Sequence, residues 1–356
     1  MNPVDAPHES VHEVKAALDV RAGDALAKKK RQVILRTGIA VVAFVALIVV
    51  VNALTNGNFF TAGNLTNVLR QITYNAILAV GQTFVIITAG IDLSVGSLIQ
   101  LTGVVMAQFA NASGLSGPLL VIVTTIVGVT VGCCAGLVNA LPVVRLNLPP
   151  FITTLAMMLM ARGLAFKLSH GQPVPLKSDA FNALGTQYAL HDLLAPIGMP
   201  GIPWAVLVML TVVIAFAIVL NRTRFGRYVL ALGGNEEAAR LAGINVRLVK
   251  TFVYVISGGC AALAGMLLMA RFSSGSPQTG VGSELQSIAA VVVGGTSLMG
   301  GRGSVVATFF GALLIGVLNN VMNLLNIESY TQDIVLGAVI LLAVIAEEVR
   351  KRVFAR

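Results

Sequence analysis

Two histidines one helical turn apart with a glutamate between them, His8-Glu9-Ser10-Val11-His12, match the spelling of a zinc-protease site. Such a site needs a third ligand and a dry, folded surround. Pro3 and Pro7 lie just upstream in a polar stretch, and His170 and His191 are too distant in sequence to be argued as a ligand, so we read the motif as coincidence. A nucleotide-phosphate loop needs a glycine backbone ahead of Lys followed by Ser or Thr. The Lys177-Ser178 and Lys250-Thr251 pairs follow Leu176 and Val249, which excludes ATP binding by that route. Cys133, Cys134 and Cys260 lie inside apolar runs without metal or disulfide spacing and read as small packing residues. The carboxamides remain. Gln71, Asn75 and Gln82 are spaced by four and seven residues and share one helical face; Asn319, Asn323 and Asn326 are expected to do the same. Amides lining an otherwise apolar tunnel would match the hydroxyls of a neutral polyol, and amides bonding between helices would give the same pattern.

The elements that must position these residues are membrane helices. The chain has 356 residues, net charge +9, 56% hydrophobic and 11% charged residues, and a mean hydropathy of +0.87. Charged residues make up about 25% of ordinary soluble domains. The composition excludes a soluble enzyme and predicts an all-α polytopic membrane protein. Apolar stretches at 37–54, 71–89, 93–110, 119–144, 148–168, 202–220, 251–270, 285–299, 304–325 and 331–346 predict about ten spans. The eighth, around Ser287 to Gly295, is short and glycine-rich and reads as broken or re-entrant. The first follows Lys28-Lys29-Lys30-Arg31 without a convincing cleavage site, so it is expected to stay as an anchor.

Basic residues are retained on the cytoplasmic side. With both termini inside, 19 of the 24 Lys and Arg residues fall on inner segments. One more or one fewer helix would put the basic cluster at 222–250 on the wrong side. The positive balance thus reflects topology, and no nucleic-acid partner is needed. Residues 1–32 read as a flexible cytoplasmic tail, 33–356 as the transmembrane domain, 169–201 as an outer loop, and 222–250 as an inner segment.

Within that inner segment, Asn235 is placed to cap a short helix, Glu236 and Glu237 suit its positive end, and Gly243 suits its stop. A solvated connector would look similar. Two inner turns accompany it. Gly90-Ile91-Asp92-Leu93-Ser94 predicts a tight hairpin in which Asp92 or Ser94 caps the next helix, though an ionisable group at membrane depth also suggests a gating or substrate role for Asp92. Gly300-Gly301-Arg302-Gly303-Ser304 makes the other turn, where Arg302 faces a partner or lipid phosphate. Glu284 and Gln286 are expected at the outer start of the eighth span. Gly128, Gly132 and Gly136 form a close-packing face, as do Gly258, Gly259 and Gly265.

Glu237-Ala238-Ala239 followed after three residues by Gly243 resembles the loop by which ABC importer permeases press a coupling helix into their ATPase; the Ile-x-Leu-Pro portion of that loop is absent. Together with 89–97, 226–244 and 294–304 this is similar to the ribose/xylose/arabinose-type permeases of sugar ABC importers, over about residues 35–350. The resemblance implies a type II-like permease architecture in the inner membrane and a non-catalytic transport subunit for ribose or another monosaccharide, without a cofactor. It also implies coupling through Asn235, Glu236, Glu237, Ala238, Ala239, Arg240 and Gly243. The implied partners are an ABC ATPase, a periplasmic or lipid-anchored sugar-binding protein and a second permease copy as homodimer. Rival readings are an ABC permease for nucleosides, branched amino acids or a furanose signal, and an ion-coupled secondary transporter. The latter would need intramembrane acids, of which only Asp92, Glu284 and Asp333, all near expected span ends, are available.

Overall fold

A computed structural model describes residues 57–189 and 201–354 continuously, with isolated positions 49, 51–53, 55, 191 and 195. The tail at 1–32 with its His8–His12 motif, and most of the expected span at 37–54, lie outside the described residues. The chain divides into the units Met1–Phe60 and Thr61–Arg356. The first contributes a 3-10 turn at Asn58–Phe60.

The second unit is helical. Its long helices are α1 (Ala62–Ile87), α2 (Val95–Ala112), α3 (Gly117–Arg145), α4 (Pro150–Leu168), α6 (Trp204–Arg222), α9 (Val246–Phe272), α11 (Val305–Leu324) and α12 (Ser329–Phe354); the short ones are α5 (Asp179–Thr186), α7 (Arg224–Gly234), α8 (Glu236–Leu241) and α10 (Ser283–Val293). Among the described residues, seven helices are long and apolar enough to cross a membrane. The 26-residue α1 is long enough, but Arg70, Gln71, Asn75 and Gln82 lower its apolarity. The expected spans after the first each meet a helix. The eighth, α10, has 11 residues, about 16 Å at 1.5 Å per residue, roughly half of a 30 Å hydrocarbon core.

Helix α9 is the central post, packed against α1, α2 and α3. Small residues make this possible. A Cβ at Gly132 would collide with the Gly258 carbonyl, one at Gly258 with the Gly132 carbonyl, and one at Gly136 with the Tyr254 carbonyl, so α3 and α9 touch backbone to backbone. The exposed apolar side chains of α3, α4, α6 and α12, among them Ile122, Leu159, Ile214 and Leu342, form the face for lipid. Two short strand pairs, Val174–Pro175 with Ser274–Gly275 and Tyr188–Ala189 with Ile202–Pro203, fasten the loop after α4. At that end Arg70 donates to the Thr186 carbonyl at 2.6 Å and lies over the Tyr188 ring.

Candidate functional site

Asn64, Asn67, Gln71 and Tyr74 lie three, four and three residues apart and so share a face of α1. Facing them are Leu268 and Arg271 at the end of α9, Ser283 and Gln286 from α10, and Asn320 and Asn323 from α11. Together they line a cavity of about 620 Å³, within the usual range for small-molecule sites of about 300 to 1,000 Å³. Its lining is mostly amide and hydroxyl, and Arg271 is the one charged side chain among the lining residues. Asn64 and Asn320 exchange amide hydrogen bonds of 3.0 and 2.8 Å, tying α1 to α11 at the rim.

Of the residues expected to line a path, Gln71 and Asn323 line this cavity. Asn75 is buried behind the wall and donates from Nδ2 to Gln286 Oε1 at 2.8 Å. Gln82 is buried deeper on the same face of α1. Asn319 is buried without lining the cavity. Asn326 corrects the second expected stripe: α11 ends at Leu324, and Asn326 takes φ +54 beyond it. There its N–H meets the Asn323 carbonyl at 3.0 Å and the Ile327 N–H meets Met322 at 2.8 Å, a helix stop. The inward face of α11 carries Asn320 and Asn323 instead.

At the other end of α1, Asn235 Oδ1 accepts the Ala238 N–H at 2.9 Å and so caps α8. Glu236 accepts from Arg240 at 3.3 Å and from Lys250 at 2.7 Å, which pins the short helix to the start of α9. Gly243 leaves the helix with φ +82. Glu237, Ala238, Arg240, Leu241 and Gly243 are exposed, while Ala239 is buried. A Cβ at Gly233 would strike the Ile87 carbonyl, and the Gly301 N–H donates to that same carbonyl at 2.9 Å. The end of α1, the α7 to α8 junction and the 294–304 loop therefore meet at one place. Arg302 is exposed beside it.

A membrane-embedded helical body with an amide-lined cavity and a capped, protruding short helix has the parts of a permease. The family described as "branched-chain amino acid transport system / permease component" matches residues 64–344. The chain belongs to this permease family. It is 45% identical over 308 residues to the ribose import permease protein RbsC of Escherichia coli (strain K12), covering 86% of this chain and 92% of the relative. It is 36% identical over 362 residues to the fructose import permease protein FrcC of Rhizobium meliloti, covering 99% of each. With the xylose transport system permease protein XylH of Escherichia coli (strain K12) it shares 34% over 391 residues, covering 96% and 98%. No solved structure matches the chain.

Asp92 of the permease is placed differently from the expected surface hairpin. It is fully buried and accepts from Ser94 N at 2.9 Å, Ser94 Oγ at 2.6 Å and Ser257 Oγ at 2.7 Å. Asn139 donates to the Ser94 hydroxyl at 2.9 Å, and that hydroxyl makes no cap bond to α2. Ser257 lies eleven residues into α9, about 16 Å from its start. The turn thus enters the body part-way along its central helix. Gly90 permits this, since a Cβ there would crowd the Tyr254 hydroxyl. Glu284 stands half-buried in the first turn of α10, the expected helix start, with its carboxylate where a Cβ at Gly96 in the first turn of α2 would lie. Asp92→Ala is expected to lower stability by about 2 to 4 kcal/mol, because the buried hydroxyls of Ser94 and Ser257 lose their acceptor. Melting in detergent checks this, with Asp92→Asn expected to lose less.

The sequence reading missed Asn64, Asn67, Tyr74, Arg271 and Asn320 as lining residues. Asn64 and Asn67 extend the Gln71 stripe upstream at helical spacing. Arg70 concealed them by marking the span as starting at 71.

Proposed function

We propose that this permease is the membrane subunit of an ATP-driven importer of a neutral monosaccharide, ribose or a similar pentose. The observation that carries the reading is the 620 Å³ cavity, whose amides and hydroxyls suit sugar hydroxyls and whose wall holds a single charge. The relatives named for import of ribose, fructose and xylose support it. A branched amino acid, which the family description brings forward, carries both a carboxylate and an ammonium group; the lining residues include Arg271 for the former and no acid for the latter. An ion-coupled mechanism needs a carboxylate free to exchange its ion, and Asp92 is already engaged by three hydrogen bonds.

In this reading α8 is the coupling helix. Asn235 fixes its start and the Glu236 pairs fix its angle, while Glu237, Ala238, Arg240 and Gly243 face a separate ATPase subunit, with Ala239 seating the helix on the body. The exposed Arg302 borders the same surface, beside the point where the α7 to α8 junction meets the end of α1. Both termini face the cytoplasm, a binding protein delivers sugar to the cavity end, and two permease copies form the complex. Reconstitution in proteoliposomes with the ATPase and binding protein tests the reading. ATP-dependent ribose uptake that ignores ionophores is expected; uptake that persists without the ATPase and collapses with an ionophore would sink it.

A further inference from the structure

Gln286 belongs both to the cavity wall and to a contact beneath it, because its Oε1 holds the Nδ2 of the buried Asn75 at 2.8 Å. Seven residues further along α1, two helical turns and about 10 Å away, Gln82 lies on the same face with no exposed surface. Neither its Oε1 nor its Nε2 has a hydrogen-bond partner among the described residues. Leu78 and Ala79, also buried, occupy the face between the two amides as an apolar collar. Other buried oxygens, among them Asn75 Oδ1 and Gln100 Oε1, also have no partner, but among the described residues Gln82 is the one amide with both ends idle. Thr83, next to Gln82, bonds to Ala79 and to Thr308 at 2.6 and 2.8 Å.

A buried amide with both its donor and its acceptor idle is costly, and cores rarely hold one. The arrangement is accounted for if a second conformation engages it. The element that would have to move is α10, a half-length helix seated closely on α11 at Gly294 and Gly311, with left-handed glycines on either side of it (Gly282, φ +79, and Gly295, φ +83) that have open space around the α-carbon.

We propose that the Asn75–Gln286 bond is the latch that closes the cavity floor, and that Gln82 is a second hydroxyl-binding station, uncovered when α10 swings and the latch parts. The ligand class, a neutral polyol, rests on the importer reading above. In the closed state sugar meets Gln71 and Gln286; once the latch opens, Asn75 and then Gln82 take over its hydroxyls, so the polar stripe of α1 is used in sequence.

Gln82→Leu removes the idle amide at nearly constant volume. Its melting temperature should equal or exceed that of the parent, while ATP-driven ribose uptake falls at least tenfold. A lower melting temperature would show an amide engaged in the resting fold and would overturn the proposal, as would unchanged uptake. The second measurement follows access rather than transport. In a background with Cys133, Cys134 and Cys260 replaced by serine, the Gln82→Cys variant is assembled with the ATPase and treated with a small methanethiosulfonate. Labelling should require ATP, and adding Gln286→Leu should permit it without ATP; labelling equal in all three conditions overturns the latch. Labelling that depends on ATP but is not slowed by ribose, xylose or fructose would keep the latch and remove the sugar from it.

Discussion

Gly132→Leu is expected to prevent the permease from accumulating as a folded protein. At this position even a single added carbon collides with the Gly258 carbonyl and crowds the Ala262 side chain at 2.8 Å. Both obstacles belong to α9, the helix on which three others rest, so the backbone cannot withdraw locally. Overpacking typically costs about 1 to 3 kcal/mol when side chains absorb it. Here the obstacle is backbone, and the expected loss exceeds about 3 kcal/mol, a large fraction of a typical domain's stability. Gly163→Leu is the control: it sits in α4 with no neighbour within 4 Å of the added carbon, and replacing a mid-helix glycine there should be neutral or gain up to about 1 kcal/mol. Detergent-solubilised yield and melting temperature decide between them, and equal behaviour of the two variants would refute the close-packed α3–α9 contact.

The second large effect concerns α8. Leu241 is 85% exposed at the end of a helix already secured by its Asn235 cap and Glu236 pairs. In the coupling role proposed above, this side chain is placed to meet the ATPase. Full burial of a leucine is worth about 1.5 to 3 kcal/mol, so Leu241→Asp should weaken ATPase binding roughly tenfold to hundredfold, at 1.4 kcal/mol per factor of ten. Uptake should fall with it while the melting temperature holds. Gly243→Val should uncouple uptake from hydrolysis by another route, since φ +82 is strained for a β-branched residue and the chain leaving α8 must turn elsewhere. Titrating the ATPase against immobilised variants, with uptake and hydrolysis measured in parallel, checks both. Wild-type binding and coupling in the two variants would remove α8 as the coupling element.

Each expected span that the described residues cover coincides with a helix, seven of them long and apolar enough to cross, because a helix buried in lipid must be apolar along about 20 residues whatever surrounds it. The cap at Asn235 and the stop at Gly243 were legible for a similar reason: both are satisfied within a few residues of chain. Gln71 and Asn323 were found by their spacing. Asn326 was misplaced because periodicity does not say where a helix ends, and here it ends two residues earlier.

What local chemistry alone determined is therefore the helical membrane body, the short capped α8, and a polar stripe on α1. Depth and partnership came only with the folded chain. Asp92 stands near the end of an apolar run in the sequence, yet a turn folded inward against Ser257 buries it completely, while Glu284 stays half-buried in the first turn of a half-length α10. Asn64 meets Asn320 across 256 residues of chain, and Asn75 meets Gln286 across 211. No local pattern encodes such pairs, since each joins helices that are distant in sequence and are brought together only by the packing of the whole body.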